Sequence, residues 1–158
     1  ICNGAVDNAS GMAVLIEAAG RLAAGPRPSR DILFLATTAE EIGLLGAEYF
    51  VTRPTLARAG IAAVINLDTV ALHPAGSPVA VLGGDDPIRA LIGSEARRLG
   101  RPVDPDREAD VMIRRQDGWA FARNGIPTVM FGGSISDMAR LRRFLEGPYH
   151  APEDDMDP

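Results

Sequence analysis

A chain of 158 residues, 46% of them hydrophobic and with no low-complexity tract, is long enough for one domain with a core. Its net charge of −5 and lack of any basic block argue against a nucleic-acid partner, and no apolar stretch approaches the roughly 18 residues that cross a bilayer. All 16 basic residues are arginine, which excludes a lysine nucleophile, a lysine Schiff base and a P-loop lysine.

The opening ICNGAVDNASG is rich in turn formers and leads into an apolar series at Met12, Leu15, Ile16, Ala19 and Leu22. That spacing predicts a helix over 10–24, stopped by Gly25 and Pro26. The continuous apolar run 32–36 predicts a parallel strand covered on both faces, and 42–51 the next helix. A second such run, 61–67, terminates at Asp68. Residues 78–82 form a weaker strand candidate, followed by a helix over 87–99 that Gly100 and Pro102 end. A short helical piece over 119–123 precedes Gly125, and 127–131 is a last apolar strand. Gly132 and Gly133 then open a long connection to His150. Strands alternating with helices predict an α/β fold of three layers: helix, mixed but mostly parallel sheet, helix. No strand precedes the first helix, and the acidic PEDDMDP at the end is turn-like.

Cys2 is the sole cysteine, so no internal disulfide forms and the redox compartment stays open. Only Cys2, His73 and His150 offer sulfur or imidazole chemistry, and Ser134 in GGSIS lacks the flanking glycines of a nucleophile elbow. Acid chemistry is what remains. In an open α/β sheet, ligands gather at the carboxyl ends of the strands. Asp68 ends one apolar run, Glu40 and Glu41 follow another, and His150 lies on the loop after a third. Asp7 sits on a turn before a helix, where backbone donors favour an anion. Four carboxylates and one imidazole are thereby expected around a single crevice.

Like charges gathered there repel and force protonation unless a cation joins them. Oxygen and imidazole donors together suit zinc, and catalytic zinc sites keep three protein ligands and one position for water. If one of the adjacent glutamates turns to the metal, its neighbour can face the water as general base. Singly, each acid has an ordinary explanation: first-turn charge for the Glu-Glu pair, a cap or turn for Asp7 and Asp68. Their joint order at one sheet edge carries the metal reading. His73, followed by Pro74, reads as solvent-facing.

The segments NGAVDNASG, TTAEEIGLLGAEYF, INLDTV, RQDGWAFARNGIPTVMF and PYHAPEDD, in that order, resemble metallopeptidase family twenty-eight. These are the zinc aminopeptidases related to glutamate carboxypeptidase and glutaminyl cyclase, and the similarity spans nearly the whole chain. The resemblance implies a zinc-exopeptidase fold and hydrolysis of the N-terminal residue of peptides. It implies that Asp7 bridges two zinc ions, that Glu41 and His150 bind one and Asp68 the other, and that Glu40 is the general base. Asp117 and Phe121, matching the family's Ser-Asp-x-x-x-Phe block with Gln116 in place of serine, are implied near the substrate pocket.

The family's remaining histidine ligand lies before the DNASG block, and His73 is a poor substitute for it. The expectation is a catalytic-domain portion, 1–158, cut at both ends, of a longer two-zinc enzyme; the portion keeps one three-ligand site at Asp7, Glu41 and His150 and a weak or empty second site, holds one zinc or none, and need not be active by itself without that histidine. An exposed sheet edge or apolar face prone to self-association is also expected. The partner is otherwise a peptide, with neither nucleic acid nor membrane. Two rivals stand beside this reading. One is a single-zinc glutaminyl-cyclase-like acyltransferase, against which the DNASG context speaks; the other is a non-catalytic binding module of the same fold, which the retained Glu40 disfavours. Arg114, Arg115 and Arg123 read as surface charges rather than a clamp for a substrate carboxylate.

Overall fold

Helix α1 (Ser10–Ala24) follows a tight turn at Ala5–Ala9 and ends where Gly25 leaves the helical conformation and Pro26 lacks the N–H to continue it. The computed structural model describes residues 2–53 and 55–156; Ile1, Pro54, Asp157 and Pro158, and with them both ends of the expected domain, lie outside the described residues. Of α1 only Gly11 is buried, and Met12, Val14, Ile16 and Leu22 leave 40–67% of their surface exposed. The apolar stripe that made the helix predictable is largely uncovered.

The run 32–36 is not a strand. A strand needs a neighbouring ladder for its N–H and C=O groups, and no described strand pairs with this segment. Ile32, Leu33 and Phe34 stand exposed instead. Helix α2 (Leu45–Thr52) begins three residues later than the pattern predicts, because Gly43 (φ 110°) and Leu44 (φ 59°) take positive φ values that an α-helix does not admit.

The described sheet has three strands, β1 (Val64–Asn66), β2 (Ala80–Gly83) and β3 (Thr128–Gly132), in the order β1-β3-β2. β1 pairs parallel to β3 with Val64 opposite Thr128, and β2 pairs antiparallel to β3 with Leu82 opposite Met130. The sheet is therefore mixed, with one pairing of each kind, not mostly parallel. Helix α3 (Asp86–Arg98) starts where Asp85 accepts the Ile88 N–H at 3.0 Å and Pro87 occupies the first turn.

Helix α4 (Gly118–Ala122) packs on α2: Ala47 and Val51 meet Ala120, Phe121 and Ile126 in one core cluster. A second cluster gathers Leu82, Met130, Ile135, Met138 and Leu141. Its last two members come from helix α5 (Met138–Glu146), which occupies the stretch expected to be a long connection. Asp137 caps it by accepting the Arg140 N–H at 2.8 Å, and Met138, Leu141 and Phe144 recur every third residue as its buried stripe. No helix among the described residues is long and apolar enough to cross a membrane.

Candidate metal centre

The DNASG turn is tied to the chain beyond β1 by its own side chains. Asn8 Nδ2 donates to the Leu67 carbonyl at 3.0 Å, while its Oδ1 accepts the N–H groups of Gly11 and Thr69 at 3.0 and 3.3 Å. Ser10 Oγ donates to the Val6 carbonyl at 2.7 Å and accepts the Val70 N–H at 3.3 Å. Gly11 completes the motif, since a Cβ there would overlap both Asn8 Oδ1 and the Leu67 carbonyl oxygen. Backbone cannot yield as a flexible side chain can, so Gly11→Ala is expected to cost about 2–3 kcal/mol. A urea melt should show a lower midpoint with an unchanged slope.

These ties set Asp7 beside residues from two distant segments. The ligating atoms of Asp7, Glu41 and His150 all lie within 4.8 Å of one another. His150 Nε2 is 2.6 Å from Glu41 Oε1 and 3.5 Å from Asp7 Oδ2. The Tyr149 hydroxyl reaches the Glu41 carboxylate at 3.2 Å, and its ring stacks on the His150 imidazole with centroids 3.7 Å apart. On the other side of the turn, the buried Asp154 accepts the Val6 and Asp7 N–H groups at 2.7 and 3.0 Å.

Asp68 stands outside this three-donor group but shares a cavity of about 380 Å³ with Asp7, Glu40, Glu41 and Asp117. Asp117 is held there by a hydrogen bond from the Thr37 hydroxyl. Phe121 is not brought to the acids: it is buried in the α2–α4 cluster with its ring 6.0 Å from that of Phe50. Gln116 is also internal, its Oε1 accepting the Gly118 N–H at 2.8 Å. His73 lies elsewhere, 3.2 Å from Ser77 Oγ, and is largely buried instead of solvent-facing. Arg114 lies over the Trp119 ring and Arg123 pairs with Glu48, while Arg115 borders an apolar cavity that opens onto Asp7, Glu40 and Asp68.

Four non-glycine residues among those described have positive φ, and three of them flank the acids: Ala39 before Glu40, Thr69 after Asp68, and His150 itself. Such conformations each cost about 1–3 kcal/mol and persist where the surrounding structure enforces them, as at functional sites.

Burial dominates the electrostatics of the raised acids in the cluster, with neighbouring acids second at Asp7 and Glu40. Burial pushes Asp7 up to about 7, reinforced by Glu41 and Asp68. Glu40 is likewise pushed up to about 7 by burial and then by its neighbours Glu41, Asp68 and Asp117. Burial also raises Asp68 and Asp117, against the lowering effect of the Thr69 and Thr37 hydroxyls. Burial pushes Glu41 upward too, yet hydrogen bonds with His150 and Asp7 outweigh it and hold the group below its ordinary value. The Glu41 hydrogen bond in turn raises His150. Burial and like-charged neighbours disfavour the ionised forms of these acids, and a bound cation relieves both effects. One imidazole and two carboxylates converging on a point form a donor set that fits zinc.

Tyr149, Asn8 and Asp154 escape the sequence reading as individual site residues. The signals present were their places inside PYH, DNASG and PEDD, which mark a motif without saying what each member touches.

Comparison with known proteins agrees with the geometry. The sequence model of Peptidase family M28 matches residues 2–158. A "Probable zinc metalloprotease" of Pyrenophora teres f. teres is 44% identical over 117 residues, covering 62% of this chain and 25% of that protein. "Leupeptin-inactivating enzyme 1" of Streptomyces exfoliatus is 32% identical over 133 residues, covering 82% of this chain and 28% of the relative. A second "Probable zinc metalloprotease", from Leptosphaeria maculans, is 31% identical over 160 residues, covering 94% and 34%. The chain spans about a quarter to a third of the length of these relatives. With a match running over almost all of its residues, the chain belongs to Peptidase family M28.

Proposed function

We propose that the chain forms the metal centre and substrate cavity of a zinc aminopeptidase, with Asp7, Glu41 and His150 as ligands of one zinc, Asp68 as a ligand toward a second, and Glu40 as general base. The observation that carries this reading is the convergence of donors from positions 7, 41 and 150 on one point. Zinc bound there supplies Lewis-acid chemistry, polarising a carbonyl and acidifying water. Glu40 lies outside the three-donor group and borders the same cavities as Asp7 and Asp68. From its place on that cavity wall it accepts a proton from the attacking water and returns it to the departing amine.

Two further features support hydrolysis from the amino end. Asp117 gives the larger cavity a carboxyl group with which to receive a free ammonium group. The adjoining cavity is lined by Leu82, Met112, Ile135 and Leu145, a lining suited to an apolar first side chain. In this reading the small mixed sheet belongs to the three-layer zinc-exopeptidase fold, and the uncovered apolar residues of α1 and of the segment 32–34 favour self-association.

The test is hydrolysis of leucyl-p-nitroanilide by zinc-loaded protein. Release of nitroaniline that a chelator abolishes, and that N-acetylation of the substrate prevents, is the expected result. One observation favours a second reading: Asp68 stands apart from the three-donor group, and three donors suffice for a single-zinc glutaminyl-cyclase-like acyltransferase. Cyclisation of an N-terminal glutamine peptide without hydrolysis would select it.

A further inference from the structure

Asp154 is 1% exposed, among the largest side chains wholly inside the protein, and it is a carboxylate. Both of its oxygens are spent on main-chain donors: Oδ1 accepts the Val6 N–H at 2.7 Å and Oδ2 the Asp7 N–H at 3.0 Å. Its own carbonyl accepts the Ala5 N–H at 3.1 Å, so three successive residues of the Asp7 turn are fastened to one side chain and its backbone. No arginine or histidine of the described residues forms an ion pair with it. A buried negative charge without a cation is costly, and two main-chain N–H donors offset only part of that cost.

The place of Asp154 in the chain gives it a purpose. It lies four residues after His150 on the same loop, and it grips the turn that carries Asp7. Two donors nearly the whole chain apart are thereby held at 3.5 Å through one carboxylate. We propose that Asp154 is a positioning residue for the metal centre: it sets the separation between Asp7 and His150, and its charge is offset by the cation those residues hold. This rests on the metal reading above.

The experiment uses cobalt(II) as probe, because its visible absorption reports ligand geometry independently of turnover. The chain and its Asp154→Asn variant are titrated with cobalt(II), and the metal-free forms of both are melted. The isosteric amide keeps one acceptor and loses the charge, so a 10–100-fold weaker cobalt affinity and an altered visible band are expected, as for other residues that orient metal ligands. Val51→Ala, in the remote α2–α4 cluster, supplies the control: it should lower the melting temperature and leave the cobalt affinity and band unchanged. Asp154→Glu, which keeps both oxygens but adds a methylene, answers the question should the amide variant not fold, and it too should weaken cobalt binding.

Unaltered affinity and band in a folded Asp154 variant overturn the proposal and leave the metal reading intact. Failure of both variants to fold makes Asp154 a structural residue and also overturns it. Failure of the unaltered chain to bind cobalt overturns the metal reading itself, and the positioning role with it.

Discussion

Glu40→Ala is expected to lower turnover of an aminoacyl-p-nitroanilide by about 10³-fold, with zinc content, melting temperature and KM nearly unchanged. The magnitude follows from what a placed general base contributes, about 10²–10⁴-fold. The selectivity follows from position. Glu40 adjoins Glu41 in sequence but is absent from the three-donor group, so its loss removes no donor from the cluster. Among the described residues its side chain makes no hydrogen bond on which the fold depends, and in the metal-free chain burial pushes its carboxyl up to about 7. Glu40→Gln should behave similarly, since the amide keeps the shape without the basicity. Retention of more than a tenth of the turnover would remove Glu40 from the mechanism. A parallel loss of zinc would instead make it a ligand, and the division of labour between the two glutamates would have to be reversed.

The sequence was most informative where physics is local. Residues 10–24 carry a helical apolar series, a turn-rich start and a Gly-Pro stop, and the helix occupies those residues. It was also informative about which groups meet: acids and an imidazole on distant segments were expected around one crevice, and the side chains of Asp7, Glu41 and His150 lie together. It failed where a structure depends on what lies next to a segment. The run 32–36 has strand composition, but strand formation requires a partner, and its side chains are left exposed. Helix α5 was missed because Gly132 and Gly133 signal a loop, while the stripe Met138, Leu141 and Phe144 is short and separated by arginines. Asp154 looks like one more acid in a polar tail until its oxygens are traced to the amides of Val6 and Asp7, almost 150 residues away. Phe121 was expected near the substrate pocket on motif alone, yet α4 turns it into the core.

Zinc removal should have the second large effect, and its size should depend on pH in a direction set by the cluster. In the metal-free chain Asp7 and Glu40 are pushed up to about 7, against ordinary values of 3.8 and 4.5. Between those limits the folded chain holds protons that the unfolded chain releases. The stabilisation is complete below the ordinary values and is lost as pH rises through about 7. His150, raised by its Glu41 hydrogen bond, acts in the same sense: its contribution is lost as pH rises through its folded value. Glu41, held below its ordinary 4.5, acts in the opposite sense, but its contribution is already complete above that value and falls away only on acidification. The metal-free chain should therefore lose stability from pH 5 to pH 8, by an amount that solvent screening of partly exposed groups keeps below the full value.

Zinc binding requires the same groups deprotonated, so its stabilisation should grow over that interval. At pH 7.5, zinc at about 100 times its Kd adds about 2.7 kcal/mol, which for a chain of this size raises Tm by about 5–10 °C; at pH 5 the rise should nearly vanish. Asp7→Asn removes the donor shared by both proposed sites. It should abolish the zinc-dependent rise at every pH and, by deleting one of the crowded charges, raise the metal-free Tm at pH 7.5. Calorimetry with zinc and with chelator at pH 5, 6 and 7.5 measures all of these quantities. A zinc-dependent rise as large at pH 5 as at pH 7.5, or one that survives Asp7→Asn, would place the metal somewhere other than among Asp7, Glu41 and His150.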